Sequence, residues 1–74
     1  MTTEELSYAW LLIEQLAIED GVSPAQIRKR IKAAIEKRWK DEERWGIREL
    51  QTLHNRFSAI PSVEAAIIYM LEAN

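Results

Sequence analysis

Apolar residues recur along this chain at steps of three and four, the period of an α-helix, and no stretch alternates as a strand would. Leu6, Ala9, Trp10, Ile13, Leu16 and Ala17 form one stripe and predict a first helix from Thr2 or Thr3. Thr2-x-x-Glu5 reads as a capping box, and Gly21 supplies a left-handed stop. A second helix starts at Ser23, with Pro24 at the first helical position and Gln26 closing a Ser-x-x-Gln box. Its inner stripe is Ile27, Ile31, Ala34, Ile35 and Trp39; it reaches at least Lys40, and Asp41-Glu42-Glu43 reads as a fraying end. A third helix is predicted over Ile47 to Phe57, with Leu50, Leu53 and Phe57 inward. After the Ser58-Ala59-Ile60-Pro61 turn, a fourth runs from Ser62 to Glu72, with Val63, Ala66, Ile67, Met70 and Leu71 inward. The pattern predicts an all-α fold, one four-helix domain over residues 1–74.

Ile68 and Tyr69 make the last helix apolar on nearly every side. Either that helix is central, or Ile68 and Tyr69 offer a face to a second copy or another protein. A 74-residue chain buries a modest core, so a homodimer or larger partner would add stability. The chain has no cysteine and a single histidine, which leaves no disulfide, no thiolate zinc site and no histidine metal cluster. The acidic Met1-Thr2-Thr3-Glu4-Glu5 start is unlike a signal peptide, and the seven-residue apolar run from Ala65 to Leu71 is too short to cross a bilayer. The expectation is a cytoplasmic protein with no membrane association, no cofactor, no metal and no catalytic residue.

Charge changes the picture most. Residues 1–22 hold five acids and no base, residues 23–40 seven bases and one acid, and residues 41–74 three bases and six acids. One strongly basic helix therefore sits in an otherwise acidic chain. At 100° per residue, Gln26, Lys29, Ala33, Glu36 and Lys40 lie opposite the Ile27/Ile31/Ile35 stripe, with Arg28 and Lys32 on one flank and Arg30 and Lys37 on the other. Arg and Lys can pair with guanine N7/O6 and Gln with adenine N6/N7, and a central Ala33 lets backbone approach bases.

The preceding turn has the grammar of a helix-turn-helix unit over about residues 8–40. Ala17 is small where two helices would cross, Gly21 takes the positive-φ turn, and Val22 and Ile27 plug the space between. The expected partner is duplex DNA. Gln26, Arg28, Lys29 and Lys32 are the candidate base contacts, and Ser23, Arg30, Lys37 and Lys40 the candidate phosphate contacts. The competing reading is an ordinary amphipathic helix whose basic face is solvated, Glu36 pairing with Lys32 and Lys40. An overall pI near 5.4 favours that alternative.

Ser23 to Trp39, with Ile27, Ile31, Ala34-Ile35-Glu36 and Trp39 in fixed phase, is similar to the recognition helix of the stage-zero sporulation protein A effector domain. A short helix, the Pro61-Ser62 turn and the apolar Val63–Leu71 helix follow in that family's order, so the resemblance spans most of residues 8–72. It implies a wingless helix-turn-helix domain that regulates transcription in sporulation and often dimerises, with base contacts on Arg28, Lys29 and Lys32 and Gln26 nearby. Arg28 departs from the pattern, since the family tends to carry an acid there. No phosphoacceptor receiver accompanies these residues, so a small orphan relative is expected.

Other residues invite bland readings. His54 falls at the Leu50/Leu53/Phe57 spacing and reads as a core-edge histidine. Glu42 and Glu43, being adjacent on a helix, point apart and read as a solvated end. Trp10 and Trp39 sit on inner stripes and read as core, while Trp45 could belong to a platform for stacking bases. A rival function is a small protein-interaction module that docks through the last helix.

Overall fold

Capping boxes set the start of both long helices. The computed structural model describes residues 2–46 and 52–73. α1 spans Thr3–Asp20; the Thr2 hydroxyl accepts from the Glu5 amide at 3.1 Å, and the Glu5 carboxylate accepts from the Thr2 amide at 3.1 Å. α2 spans Pro24–Trp45, with the same reciprocal pair between Ser23 and Gln26. Gly21, at φ 68°, ends α1. The Gly21 amide donates to the Ile18 carbonyl and the Val22 amide to that of Ala17, a Schellman closure. Only three residues, Gly21, Val22 and Ser23, separate the two helices.

α2 continues through Asp41-Glu42-Glu43, expected to fray, and stops at Gly46, φ 62°. Its 22 residues make a rod of about 33 Å. The molecule's longest extent is 36 Å, so α2 is its spine. α3 is a single turn, Leu53–Arg56, where a helix from Ile47 to Phe57 was expected. Thr52 caps α3 and Phe57 leaves it extended, which sets both its limits; the start at Ile47 and the inward Leu50 fall outside the described residues. α4 spans Val63–Ala73, its first turn capped by the Ser62 hydroxyl accepting from the Ala65 amide at 3.1 Å.

The protein is thus an all-α domain of four helices, with no strand among the described residues. Its core gathers Ala9, Ile13 and Ala17 of α1, Ile27 and Ile35 of α2, Leu53 of α3, and Val63, Ala66 and Ile67 of α4. The alanines on either side of Ile13 keep that face of α1 low. Several residues placed inward by periodicity face out instead. Leu6, Trp10, Met70 and Leu71 are exposed, as is Ala34. α1 has apolar residues all around its circumference, so spacing alone did not select the buried side. Ile31, Trp39 and Phe57 pack on the core while half-buried. Among the described residues no helix is long and apolar enough to cross a membrane.

Candidate nucleic-acid interface

The charged residues of α2 fall into two sets. Lys29, Lys32, Lys37 and Lys40 are exposed, and none of them lies within ion-pair distance of an acid among the described residues. The expected pairs of Glu36 with Lys32 and Lys40 do not form. Lys29, Lys37 and Lys40 share the outer face with Gln26 and Arg30, and Lys32 lies toward its edge. Ala33 is the low point of that face. Two shallow hollows, of about 370 and 400 Å³, meet at its methyl group, one bordered by Gln26, Lys29 and Arg30, the other by Lys37, Lys40 and Arg44 together with the acids Glu36 and Asp41.

Two of the arginines, Arg28 and Arg38, are committed to buried carboxylates. Arg28 donates from Nε and Nη2 to Glu64 of α4 at 3.0 and 2.8 Å, with a further 3.1 Å bond to the second carboxylate oxygen. Its guanidinium also lies 5.9 Å from the Trp10 ring centroid, so it joins α1, α2 and α4. Burial opposes ionisation of Glu64, but the hydrogen bonds and charge of Arg28 win, and its pKa is lowered. Arg28 was expected to reach DNA bases; in this fold its fork is occupied by Glu64. Arg30 faces Asp20 at 3.5 Å, both side chains exposed, a contact worth little in water. Arg38 pairs with Glu42, and Arg44 lies 5.0 Å from the centroid of the exposed Trp45 ring.

Ser23 and Gln26 each serve the start of α2. The Ser23 hydroxyl is engaged by the Gln26 amide and the Gln26 carbonyl by the Ser23 amide. The carboxamide nitrogen of Gln26 is thus the part of that side chain left for a base edge.

The largest departure from expectation lies at the other end of α2. Glu42 is buried, with 0 % of its side chain exposed, where a solvated helix end was expected. Its carboxylate accepts from the backbone amides of Leu53 and His54 at 2.9 and 3.0 Å, from His54 Nδ1 at 2.8 Å and from Arg38 Nε at 3.0 Å. Burial alone would raise its pKa; these donors overcome that and lower it to about 2. Glu43, expected to point apart from Glu42, meets the same imidazole: its carboxylate lies 3.3 Å from His54 Nε2, the other ring nitrogen. The His54 ring stacks on Trp39 with centroids 3.7 Å apart. The Glu42 bond raises the His54 pKa above its ordinary 6.5, against a smaller desolvation effect. This cluster anchors α3 and the C-terminal half of α2. The sequence signal for it was a carboxylate followed eleven and twelve residues later by a capped helical turn.

Ile68 and Tyr69 are half-buried against the core, and the Tyr69 ring meets Phe57 edge-on at 5.7 Å. They are less available for a dimer face than the sequence suggested. No group of His, Asp and Glu among the described residues is arranged to hold a metal ion. No protein-family model, curated protein or solved structure matches the chain.

Proposed function

We propose that this protein binds duplex DNA through the outer face of α2 and acts as a small transcription regulator. The observation that carries the reading is the set of exposed cations Lys29, Lys32, Lys37 and Lys40, with no ion pair among the described residues, disposed around Ala33 on a helix tied to α4 through Arg28 and to α3 through Glu42. A cationic face on an acidic body attracts phosphate locally and is repelled elsewhere. The short Gly21-Val22-Ser23 turn fits a helix-turn-helix unit, and the likeness of Ser23–Trp39 to the sporulation effector recognition helix points the same way. In this proposal Lys29, Lys32 and the Gln26 carboxamide nitrogen reach base edges. Lys37, Lys40 and Arg30 hold phosphates, and the Ser23 cap presents the helix start. Arg28 positions the helix through Glu64. The setting is cytoplasmic, and the mechanism is occupancy of a site rather than chemistry.

The test is a titration of labelled duplex against protein at several salt concentrations. Three neutralised phosphates, at Arg30, Lys37 and Lys40, predict a log–log slope of about −2.7. The Lys29→Ala variant should bind at least several-fold more weakly at the same salt. Absence of binding at low salt, or a slope near zero, removes the DNA reading.

A further inference from the structure

α1 carries a second apolar stripe, on the side away from the core. Tyr8, Leu11 and Ile18 fall within about 80° of one another around the helix, with Gln15 among them. They are 56, 63 and 78 % exposed, and Ile18 is the most exposed large apolar residue described. The stripe continues onto α4. Tyr8 forms one wall of a groove of about 320 Å³ whose other wall is Ile68 and Leu71. A smaller hollow of about 140 Å³, over Leu11, Leu12 and Gln15, shares the Tyr8 ring. Isolated apolar residues on a surface mean little, but a contiguous band with two hollows along it is the form of a docking site.

The charge around this band says what fits it. α1 has five acids and no base. Glu4, Glu14 and Glu19 border the stripe, and Glu4, Glu5 and Glu72 rim the groove. Glu72 has Arg56 at 3.3 Å, and Asp20 has Arg30. The carboxylates of Glu4, Glu14 and Glu19 have no ion-pair partner within 4.0 Å among the described residues. A two-fold pairing of α1 with itself would bring these acids together with no base on either copy of the helix to answer them. The outer face of α2 is basic but lacks an apolar ridge, so a head-to-tail copy would leave Leu11 and Ile18 uncovered.

We propose that the α1–α4 face docks an amphipathic helix of another protein, one whose apolar ridge is flanked by lysine or arginine. Its apolar side chains lie over Tyr8, Leu11 and Ile18 and enter the groove beside Leu71, while its cations meet Glu4, Glu14 and Glu19. This is helix-in-groove recognition, with anchors repeating at three- and four-residue steps. It involves no residue of the basic α2 face and stands whether or not that face meets DNA.

Three fluorescent synthetic helices, each as long as α1, test it by anisotropy in the absence of DNA. The first has a leucine ridge flanked by lysines, the second the same ridge flanked by glutamates, and the third the first peptide's composition with the ridge scrambled. The lysine-flanked helix should bind in the micromolar range, and the other two at least tenfold more weakly. Leu11→Ser with Ile18→Ser should cost the first peptide at least tenfold with an unchanged circular dichroism spectrum, whereas Lys29→Ala should leave it unaffected. If the paired variant unfolds, the peptide series alone decides. Equal binding of the scrambled peptide, equal binding of the glutamate-flanked helix, or no binding overturns the proposal. So does sedimentation of the wild type as a dimer that Ile18→Glu dissociates, which would make a second copy the occupant.

Discussion

The arginines and the lysines of α2 are used differently. Arg28, Arg30, Arg38 and Arg44 each meet a carboxylate or an indole of the same molecule, while Lys29, Lys32, Lys37 and Lys40 meet none among the described residues. The planar guanidinium fork can hold a carboxylate with two bonds and keep its charge half-buried; an ammonium on a flexible stem gives up less by staying hydrated. Arg28 and Arg38 make α2 part of the fold. The four lysines leave it a cationic exterior. Charge along this helix is therefore not one property, and the two sets should fail in different assays.

The sharpest break comes at Glu42. Four donors converge on this buried carboxylate, so its removal leaves two backbone amides and part of Arg38 without partners. Glu42→Ala should cost about 3–5 kcal/mol in urea unfolding. That is a large share of the stability available to so small a domain. Glu42→Gln keeps the volume but loses the charge, and should recover only part of it. A loss below about 1 kcal/mol for either variant would mean that the cluster does not anchor α3.

The Arg28–Glu64 bridge comes next. Arg28 is 40 % exposed and Glu64 9 %, so solvent screens one partner and not the other. Arg28→Ala should cost about 1–2 kcal/mol. Arg28→Lys should rescue little, because a lysine cannot form the two-pronged bond and stacks less well over Trp10. A double-mutant cycle of Arg28→Ala with Glu64→Ala measures the coupling directly, and additivity would deny the bridge.

A smaller effect follows from His54, which is partly exposed and bonded to Glu42 and Glu43. Its pKa in the folded protein is raised above the ordinary 6.5. The stabilisation it provides is therefore complete below about pH 6.5 and is lost as pH rises through the raised value. Glu42 works in the opposite sense. Its folded pKa is lowered from 4.5 to about 2, so its contribution is present above about pH 4.5 and is lost as pH falls toward 2. The thermal midpoint should peak between these limits and decline on the alkaline side. His54→Gln should flatten the alkaline decline and also reduce the acid one, because the His54 ring is the foremost of the donors that lower Glu42; an unchanged alkaline limb would exclude His54 as its source.

These effects also mark what the sequence could and could not show. Thr2-x-x-Glu5, Ser23-Pro24-x-Gln26 and Gly21 act within one helical turn, so their outcome was legible from neighbours alone. The outward lysines were legible because the Ile27/Ile31/Ile35 stripe fixes the opposite side of α2. Glu42 was not, since the amides that bury it belong to Leu53 and His54 across a change of chain direction. Arg28 was assigned to DNA for the same reason: Glu64 lies 36 residues away. On α1, Trp10 and Leu6 obey the helical period as well as Ile13 does, and only the packing of Ala9 and Ala17 against the other helices decides which side is covered.

The smallest expected change in stability is the most telling for function. Lys37 and Lys40 are exposed helix residues with no ion pair among the described residues, and alanine is at least as good a helix former. Replacing both by alanine should leave the unfolding free energy within about 0.5 kcal/mol of the wild type. The same variant should lower the magnitude of the salt slope of duplex binding by about 1.8, the share of two phosphate contacts. Arg28→Ala should behave inversely, losing stability while its remaining folded fraction keeps the wild-type slope. If the two variants cannot be told apart by slope once each is corrected for the fraction folded, the separation between anchored arginines and free lysines has no functional meaning. If the lysine pair loses stability and keeps its slope, those ammonium groups serve the fold and the DNA-binding face must be sought elsewhere.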